Sequence, residues 1–168
     1  VLLAVLIGYF WPVSPSEKIA KTPNPSAERN TQSGSVIGSE DEGNTFVWLG
    51  IPFAAPPLAD LRWRSPQSVK PWTETLETTE FRDACVQLSG PLDGLADDSG
   101  AVVGNEDCLY LNIWSPRDYS SATSDKLPVM VWIHGGGNTI GTANTYDASL
   151  LAGSEQVVVV TINYRLGF

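Results

Sequence analysis

Histidine and cysteine are scarce in this sequence, which holds one histidine and two cysteines in 168 residues. His134 lies apart from Cys85 and Cys108 along the chain, and the two cysteines form no CxxC pair. Structural zinc sites take about four Cys or His ligands at short spacings. The acidic residues between the cysteines also lack the tight ligand spacing of a calcium loop. We therefore expect neither a metal ion nor a cofactor.

Positive charge is also sparse. Ten Lys and Arg residues against 19 Asp and Glu give a formal net charge of −9 at pH 7, and basic residues form no run anywhere. Nucleic acids and anionic membrane surfaces are bound chiefly through clustered positive charge. This composition argues against nucleic acid as a partner.

The longest apolar run, VLLAVLIGYFW, occupies residues 1–11. It is too short to span a bilayer, which takes roughly 20 residues. Its length suits the h-region of a signal peptide or the end of a truncated membrane anchor, to which we assign residues 1–13, although a buried strand is an alternative. Residues 14–30 are rich in Pro, Ser and Asn, which is typical of a tether. We expect a secreted or extracytoplasmic protein, with or without a membrane anchor.

Cys85 and Cys108 bracket an acidic, glycine-rich stretch. A disulfide between them would close that stretch into a loop, whereas the alternative is two unrelated buried thiols. Export favours the disulfide, because such bonds persist in oxidising compartments.

Glycine and proline number 15 and 12, which argues against a helical bundle. After the tether, two short β-rich runs, Ser35–Ile37 and 45–49, flank a polar turn-forming segment and predict a hairpin. Residues 107–114 alternate, which predicts a half-buried strand with Leu109, Leu111 and Ile113 on its apolar face.

Residues 128–133 and 157–162 are continuously apolar and β-branched, as is typical of central strands covered on both faces. Residues 146–152 between them predict a short helix. A strand, a glycine-rich turn, a helix and a second strand in that order indicate an α/β fold.

The strand at 128–133 runs into His134 and three consecutive glycines, 135–137. Without side chains, a substrate atom can approach the backbone N–H groups closely. A phosphate-binding loop would need GxGxxG or GxxxxGK, and Ile140 and Thr142 break these two patterns. The other interpretation is an oxyanion hole of the HGGG type found in lipases and esterases.

Four segments stand out along the chain: GIPFAAPPLADLRW (50–63), EDCLYLNIW (106–114), VMVWIHGGG (129–137) and NYRLGF (163–168). Together, and in this order, they resemble the type-B carboxylesterase family, which includes the cholinesterases and belongs to the α/β-hydrolase superfamily. The resemblance covers roughly residues 32–168. It implies the N-terminal part of an α/β-hydrolase fold, with an N-terminal β-hairpin and the first strands of the central mixed sheet. Since family members are several times longer, we expect residues 31–168 to be the N-terminal portion of such a domain, truncated before the nucleophile.

The resemblance also implies roles for the glycine turn. Gly136 and Gly137 match the oxyanion-hole glycines, while His134 and Gly135 support the loop. In the family the catalytic histidine comes much later in the chain, so His134 is not expected to be the general base. Asn138 stands where many members carry an aromatic residue, which leaves the shape of the acyl pocket open.

Two further pairs are implied only by the resemblance. Cys108 resembles the second cysteine of the family's first disulfide, and Cys85 then fits as its partner. Arg62 and Glu106 resemble a structural ion pair that ties the proline-rich segment to the base of the loop.

No serine in the sequence has glycine at both −2 and +2, so the GxSxG nucleophile elbow is absent from these residues. We expect the complete protein to hydrolyse a small-molecule carboxylic ester through a serine acyl-enzyme, and residues 1–168 alone to be inactive. The alternative is a non-catalytic cholinesterase-like binding or adhesion protein, because the scaffold motifs are common to both. The sequence indicates neither the ester nor the oligomeric state.

Overall fold

The computed structural model describes residues 20–91, 95, 99–119 and 126–167. The predicted signal or anchor segment, residues 1–13, lies outside these ranges, as do residues 14–19 of the predicted tether. Within the described ranges, no helix combines the length and the apolar character needed to cross a membrane.

The described strands are short and follow one another closely along the chain. In chain order they are β1 (Glu28–Asn30), β2 (Ser35–Ile37), β3 (Ser39–Asp41), β4 (Thr45–Pro52), β5 (Leu76–Glu77), β6 (Gln87–Leu88), β7 (Val102–Val103), β8 (Tyr110–Pro116), β9 (Val129–Ile133) and β10 (Val158–Ile162). An α-helix, α1 (Ser149–Glu155), lies between β9 and β10.

A mixed sheet with the strand order β3-β4-β8-β10-β9 forms the centre of the structure. Its first four strands pair antiparallel, whereas β9 and β10 are parallel. A parallel pair needs a crossover connection, which here contains α1. The predicted α/β organisation is therefore confirmed.

The tether assignment is too long at its C-terminal end. Pro25–Ala27 form a 3-10 turn and β1 pairs with β2, so these residues belong to the fold. Ala27 is fully buried, and its carbonyl accepts a hydrogen bond of 2.7 Å from the Trp48 indole N–H. A tether and an edge strand share the same polar composition, which is why the sequence suggested the former.

The predicted hairpin exists with a different first strand. β4 pairs antiparallel with β3, whereas Ser35–Ile37 pairs with β1 and β5 instead. Gly43 and Asn44 adopt φ of +64° and +57°, so the chain reverses within three residues. The reversal is tighter than the sequence suggested, and the predicted turn segment therefore contains a strand.

The more buried side chains of β8 are not the predicted apolar ones. Asn112 and Trp114 are buried, whereas Leu111 and Ile113 are half-buried. Leu109 is buried as predicted, but it precedes the strand. Asn112 tolerates burial because its amide is paired: its Oδ1 accepts from the Gly50 N–H at 2.9 Å, and its Nδ2 donates to Thr161 Oγ1 at 3.0 Å.

The two apolar runs differ in burial within the described residues. β10 lies inside the sheet, and its Val159 and Thr161 are fully buried. β9 is the last strand of the described sheet, where Val129, Val131 and Ile133 are 62%, 56% and 63% exposed. Coverage of β9 on both faces therefore stays a prediction for the complete protein.

The predicted helix begins and ends three residues later than expected. The Asp147 carboxylate accepts a hydrogen bond of 2.8 Å from the Ser149 N–H at the first turn, and Gln156 ends the helix at φ +53°. Leu151 and Ala152 pack in one apolar cluster with Val47, Trp114 and Val159 of the sheet. This packing holds α1 against the sheet. The glycine-rich segment between β9 and α1 is therefore fixed at both of its ends.

Candidate active site

The glycine turn directly follows β9. The Gly136 carbonyl accepts three hydrogen bonds of 3.1 Å, from the Thr139 N–H, the Thr139 hydroxyl and the Ile140 N–H. Gly136 has φ +120°, and a Cβ there would lie 1.9 Å from the Ile140 carbonyl oxygen. The turn can close in this way only with glycine at position 136.

The glycine turn also contains backbone N–H donors without a described partner. Neither the Gly136 N–H nor the Gly137 N–H donates a hydrogen bond to any residue that the structure describes. A Cβ on Gly135 would meet no described atom within 4 Å, and one on Gly137 would meet only Thr139 Oγ1 at 3.9 Å. Backbone N–H groups with free space beside them can bind a negatively charged oxygen.

His134 lies on the buried side of the turn. Its ring stacks on Tyr164 with centroids 4.3 Å apart, and its Nδ1 lies 2.9 Å from the Gly135 carbonyl oxygen. The Tyr164 hydroxyl donates to the His134 carbonyl at 2.7 Å. Burial lowers the pKa of His134 below its ordinary value, although the hydrogen bond with Gly135 acts in the opposite direction. Burial is the larger of the two effects, so it favours a neutral ring.

This lowered pKa predicts a pH-dependent loss of stability. Below pH 6.5, the ordinary histidine value, the unfolded chain binds a proton that folded His134 does not bind, so the free energy of unfolding falls as the pH falls. The decline ends once the pH drops below the lowered folded-state pKa. Replacing His134 by Asn should remove this contribution. Urea unfolding of the complete protein between about pH 5 and 8 tests this prediction, and parallel pH profiles for the two proteins would contradict it.

The segment after β10 holds the turn and the chain that follows it. Asn138, at φ +63°, accepts a hydrogen bond of 2.8 Å at its carbonyl from the Gly167 N–H. The Asn163 Oδ1 accepts from the Ala143 N–H at 2.7 Å and from the Thr142 hydroxyl at 3.2 Å. The sequence analysis quoted 163–168 as a motif, and the structure shows that this motif anchors the glycine turn; residue 168 itself lies outside the described ranges.

Cys85 and Cys108 form a disulfide bond, which confirms the pairing implied by the resemblance. Both residues are buried and belong to an apolar cluster with Ala54, Leu109 and Leu166. The bond joins residues 23 positions apart, so it closes the acidic stretch into a loop and places the chain around residue 85 near β8.

Arg62 and Glu106 meet at the surface beside this disulfide. Arg62 Nε donates to Glu106 Oε1, and Arg62 Nη2 donates to Glu106 Oε2 at 2.6 Å, which is a bidentate arrangement. The hydrogen bonds from Arg62 lower the pKa of Glu106. The pair therefore stabilises the fold above the ordinary glutamate pKa, and this contribution is lost as the pH falls through the lowered value.

Gln87 is a residue of the site that the sequence analysis did not identify. Its side chain is fully buried and connects the disulfide loop with the chain beyond the glycine turn. Its Oε1 accepts from the Gly141 N–H at 2.7 Å, and its Nε2 donates to the carbonyls of Gly141 and Cys85, both at 3.0 Å. Nothing in the surrounding sequence, ACVQLSG, indicates that this glutamine is buried. Only the structure identifies it.

Gln87 also lines a cavity of about 630 Å³. Trp63, Leu88, Val102 and Arg165 contribute to its lining, together with the disulfide and the ion pair. Residues 134–138 do not line it, so the glycine turn is no part of this cavity.

Comparison with known proteins assigns a family to this arrangement. The carboxylesterase family model matches residues 25–168. The chain is 46% identical over 150 residues to a fumonisin B1 esterase of Sphingopyxis macrogoltabida, a match covering 88% of this chain and 26% of that protein. It is 43% identical over 157 residues to liver carboxylesterase 1F of Rattus norvegicus, covering 86% of this chain and 28% of that protein.

Solved structures agree with the sequence matches. A PNB esterase structure superposes with a TM-score of 0.72 at 38% identity, over 84% of this chain and 28% of that one. A carboxylesterase of Geobacillus stearothermophilus superposes with a TM-score of 0.68 at 37% identity, over 84% of this chain and 27% of that one. These structures confirm the expected α/β-hydrolase fold. The chain spans about a quarter of the length of the relatives it matches.

Proposed function

The chain belongs to the carboxylesterase family, and from this premise we propose that the complete protein hydrolyses carboxylic esters of small molecules, with Gly136 and Gly137 as oxyanion donors. The observation that carries the proposal is that the N–H groups of Gly136 and Gly137 donate to no residue that the structure describes, in a turn with space beside Gly135 and Gly137. Esterase names among the relatives support the reaction class.

The proposed mechanism is a serine acyl-enzyme. A serine attacks the ester carbonyl, a histidine accepts its proton, and an acidic residue orients that histidine. The GxSxG pattern is absent from these 168 residues, so we place this triad in the part of the complete protein that follows them. We propose accordingly that residues 1–168 alone hydrolyse no ester.

The glycine turn supplies the electrostatic part of this mechanism. As the carbonyl carbon becomes tetrahedral, its oxygen gains negative charge and can accept from the N–H groups of Gly136 and Gly137. One such donor typically lowers the barrier by about 2.7 to 4 kcal/mol. The hydrogen bonds to the Gly136 carbonyl and the stacked His134 keep the donors in place before substrate binds, so little reorganisation is needed.

We further propose that the protein is exported, either free or held by a membrane anchor near its N-terminus. The disulfide between Cys85 and Cys108 supports an oxidising compartment, where such bonds persist. The predicted signal or anchor segment, residues 1–13, lies outside the described residues.

Turnover of p-nitrophenyl butyrate by the complete protein tests the function. We expect saturable hydrolysis that a fluorophosphonate abolishes by labelling one serine within a GxSxG sequence. Purified residues 1–168 should show neither hydrolysis nor labelling. If the complete protein hydrolyses no ester and has no serine in that sequence, the esterase proposal is wrong and a non-catalytic binding or adhesion role replaces it.

A further inference from the structure

The amide of Gln87 pairs with both backbone groups of one residue. It accepts from the Gly141 N–H and donates to the Gly141 carbonyl, and its second Nε2 hydrogen reaches the Cys85 carbonyl. Among the ordinary side chains, only an amide presents an acceptor and two donors in one plane. Gln87 therefore ties Gly141 to the strand that begins beside the disulfide.

Gly141 in turn lies against the first residues of the glycine turn. It has φ +116°, and a Cβ there would lie 2.5 Å from His134 Nδ1 and 2.6 Å from the Gly135 carbonyl oxygen. Its neighbour Ile140 donates to the Gly136 carbonyl at 3.1 Å. A shift of Gly141 would consequently move both the imidazole and the backbone that carries the free N–H groups.

We propose that Gln87 is a positioning residue of the proposed oxyanion hole, setting the direction of the Gly136 and Gly137 N–H groups through Gly141. This inference rests on the function proposed above. Gln87 touches no substrate; it acts by holding Gly141, and the disulfide holds Gln87 in turn through Cys85. The disulfide loop thereby controls the geometry of the turn.

Gln87→Met is the first variant, because methionine fills a similar volume and makes none of the three hydrogen bonds. In the complete protein we expect kcat for p-nitrophenyl butyrate to fall by about 10- to 100-fold while KM stays within about threefold. The affinity for an alkyl trifluoromethyl ketone, whose adduct resembles the tetrahedral intermediate, should fall in the same proportion as kcat.

Val36→Ala is the matched control. Val36 is also buried, but it packs with Phe46 and Trp48 in a different apolar cluster that contains no residue of the turn. We expect this variant to lose thermal stability and to keep kcat within about twofold of the wild type. If Gln87→Met resembles this control, losing stability but not kcat, Gln87 has only a structural role and the proposal is overturned.

Gln87→Glu is the second variant, and its kcat is measured as a function of pH. It also tests the proposal if Gln87→Met does not fold. A protonated carboxyl group has one O–H donor, whereas the ionised form has none and would face two carbonyl oxygens. Burial raises the pKa of a carboxyl group. The kcat of this variant relative to wild type should therefore rise as the pH falls, and a pH-independent ratio would contradict the proposal.

Hydrogen exchange separates this proposal from the esterase proposal. In the complete protein, the amides of Thr139 and Ile140, which donate to the Gly136 carbonyl, should exchange faster in Gln87→Met than in wild type, while those of β4 and β8 stay unchanged. If the wild type hydrolyses no ester, the proposed function fails, and the exchange rates still decide whether Gln87 orders the turn. Unchanged exchange at Thr139 and Ile140 would overturn the positioning role in either case.

Discussion

We expect Gly136→Ala to lower kcat of the complete protein by at least about 100-fold. The new Cβ would lie 1.9 Å from the Ile140 carbonyl oxygen, and the residue would have to hold φ +120°. The turn must open to relieve this clash, which would move the Gly136 and Gly137 N–H groups away from the proposed position of the oxyanion. Steady-state kinetics with p-nitrophenyl butyrate measure the loss.

Gly90→Ala is the control for this variant. Gly90 lies outside the glycine turn, and a Cβ there would meet no described atom within 4 Å, so the loss of kcat should be much smaller. Equal losses in the two variants would mean that the clash at position 136 is not the cause. Near-normal kcat in Gly136→Ala would remove the oxyanion-hole assignment.

The second large effect concerns stability. Replacing both Cys85 and Cys108 by alanine should lower the free energy of unfolding by about 3 kcal/mol, because the unfolded chain regains the entropy of an open loop. Urea unfolding of the complete protein measures the change. The variant should also lose kcat, since Gln87 donates to the Cys85 carbonyl and its position depends on the bond.

Reduction provides the matched control for the cysteine variant. Dithiothreitol should lower the stability of the wild type by more than it lowers that of the double variant, because only the wild type has this bond to lose. Equal stability of wild type and double variant without reductant would contradict a stabilising role of the bond.

The sequence predicted those features that depend on residues close together in the chain or on a recognised motif. Three consecutive glycines after an apolar strand indicated a glycine-rich turn, and Gly136 has the backbone angle that requires glycine. The resemblance implied that Cys85 pairs with Cys108, and the structure contains that bond. The order of strand, turn, helix and strand indicated an α/β fold, and β9 and β10 pair in parallel on either side of α1.

The features that the sequence did not predict depend on partners distant in the chain. Gln87 is buried because Gly141 and Cys85 satisfy its amide, and nothing next to it in the sequence reveals those partners. Asn112 took the buried face of β8 for the same reason. The hairpin partner of β4 was misassigned because a turn built on Gly43 and Asn44 is shorter than the polar segment that contains it.

The central claim is that the backbone N–H of Gly137 stabilises the oxyanion, and an amide-to-ester substitution tests it most directly. Glycolic acid in place of Gly137 exchanges the N–H for an oxygen and leaves the shape of the turn almost unchanged. We predict that kcat of the complete protein falls by about 10²- to 10³-fold while KM changes by less than about threefold. An unchanged kcat in a protein that carries the ester would contradict the account.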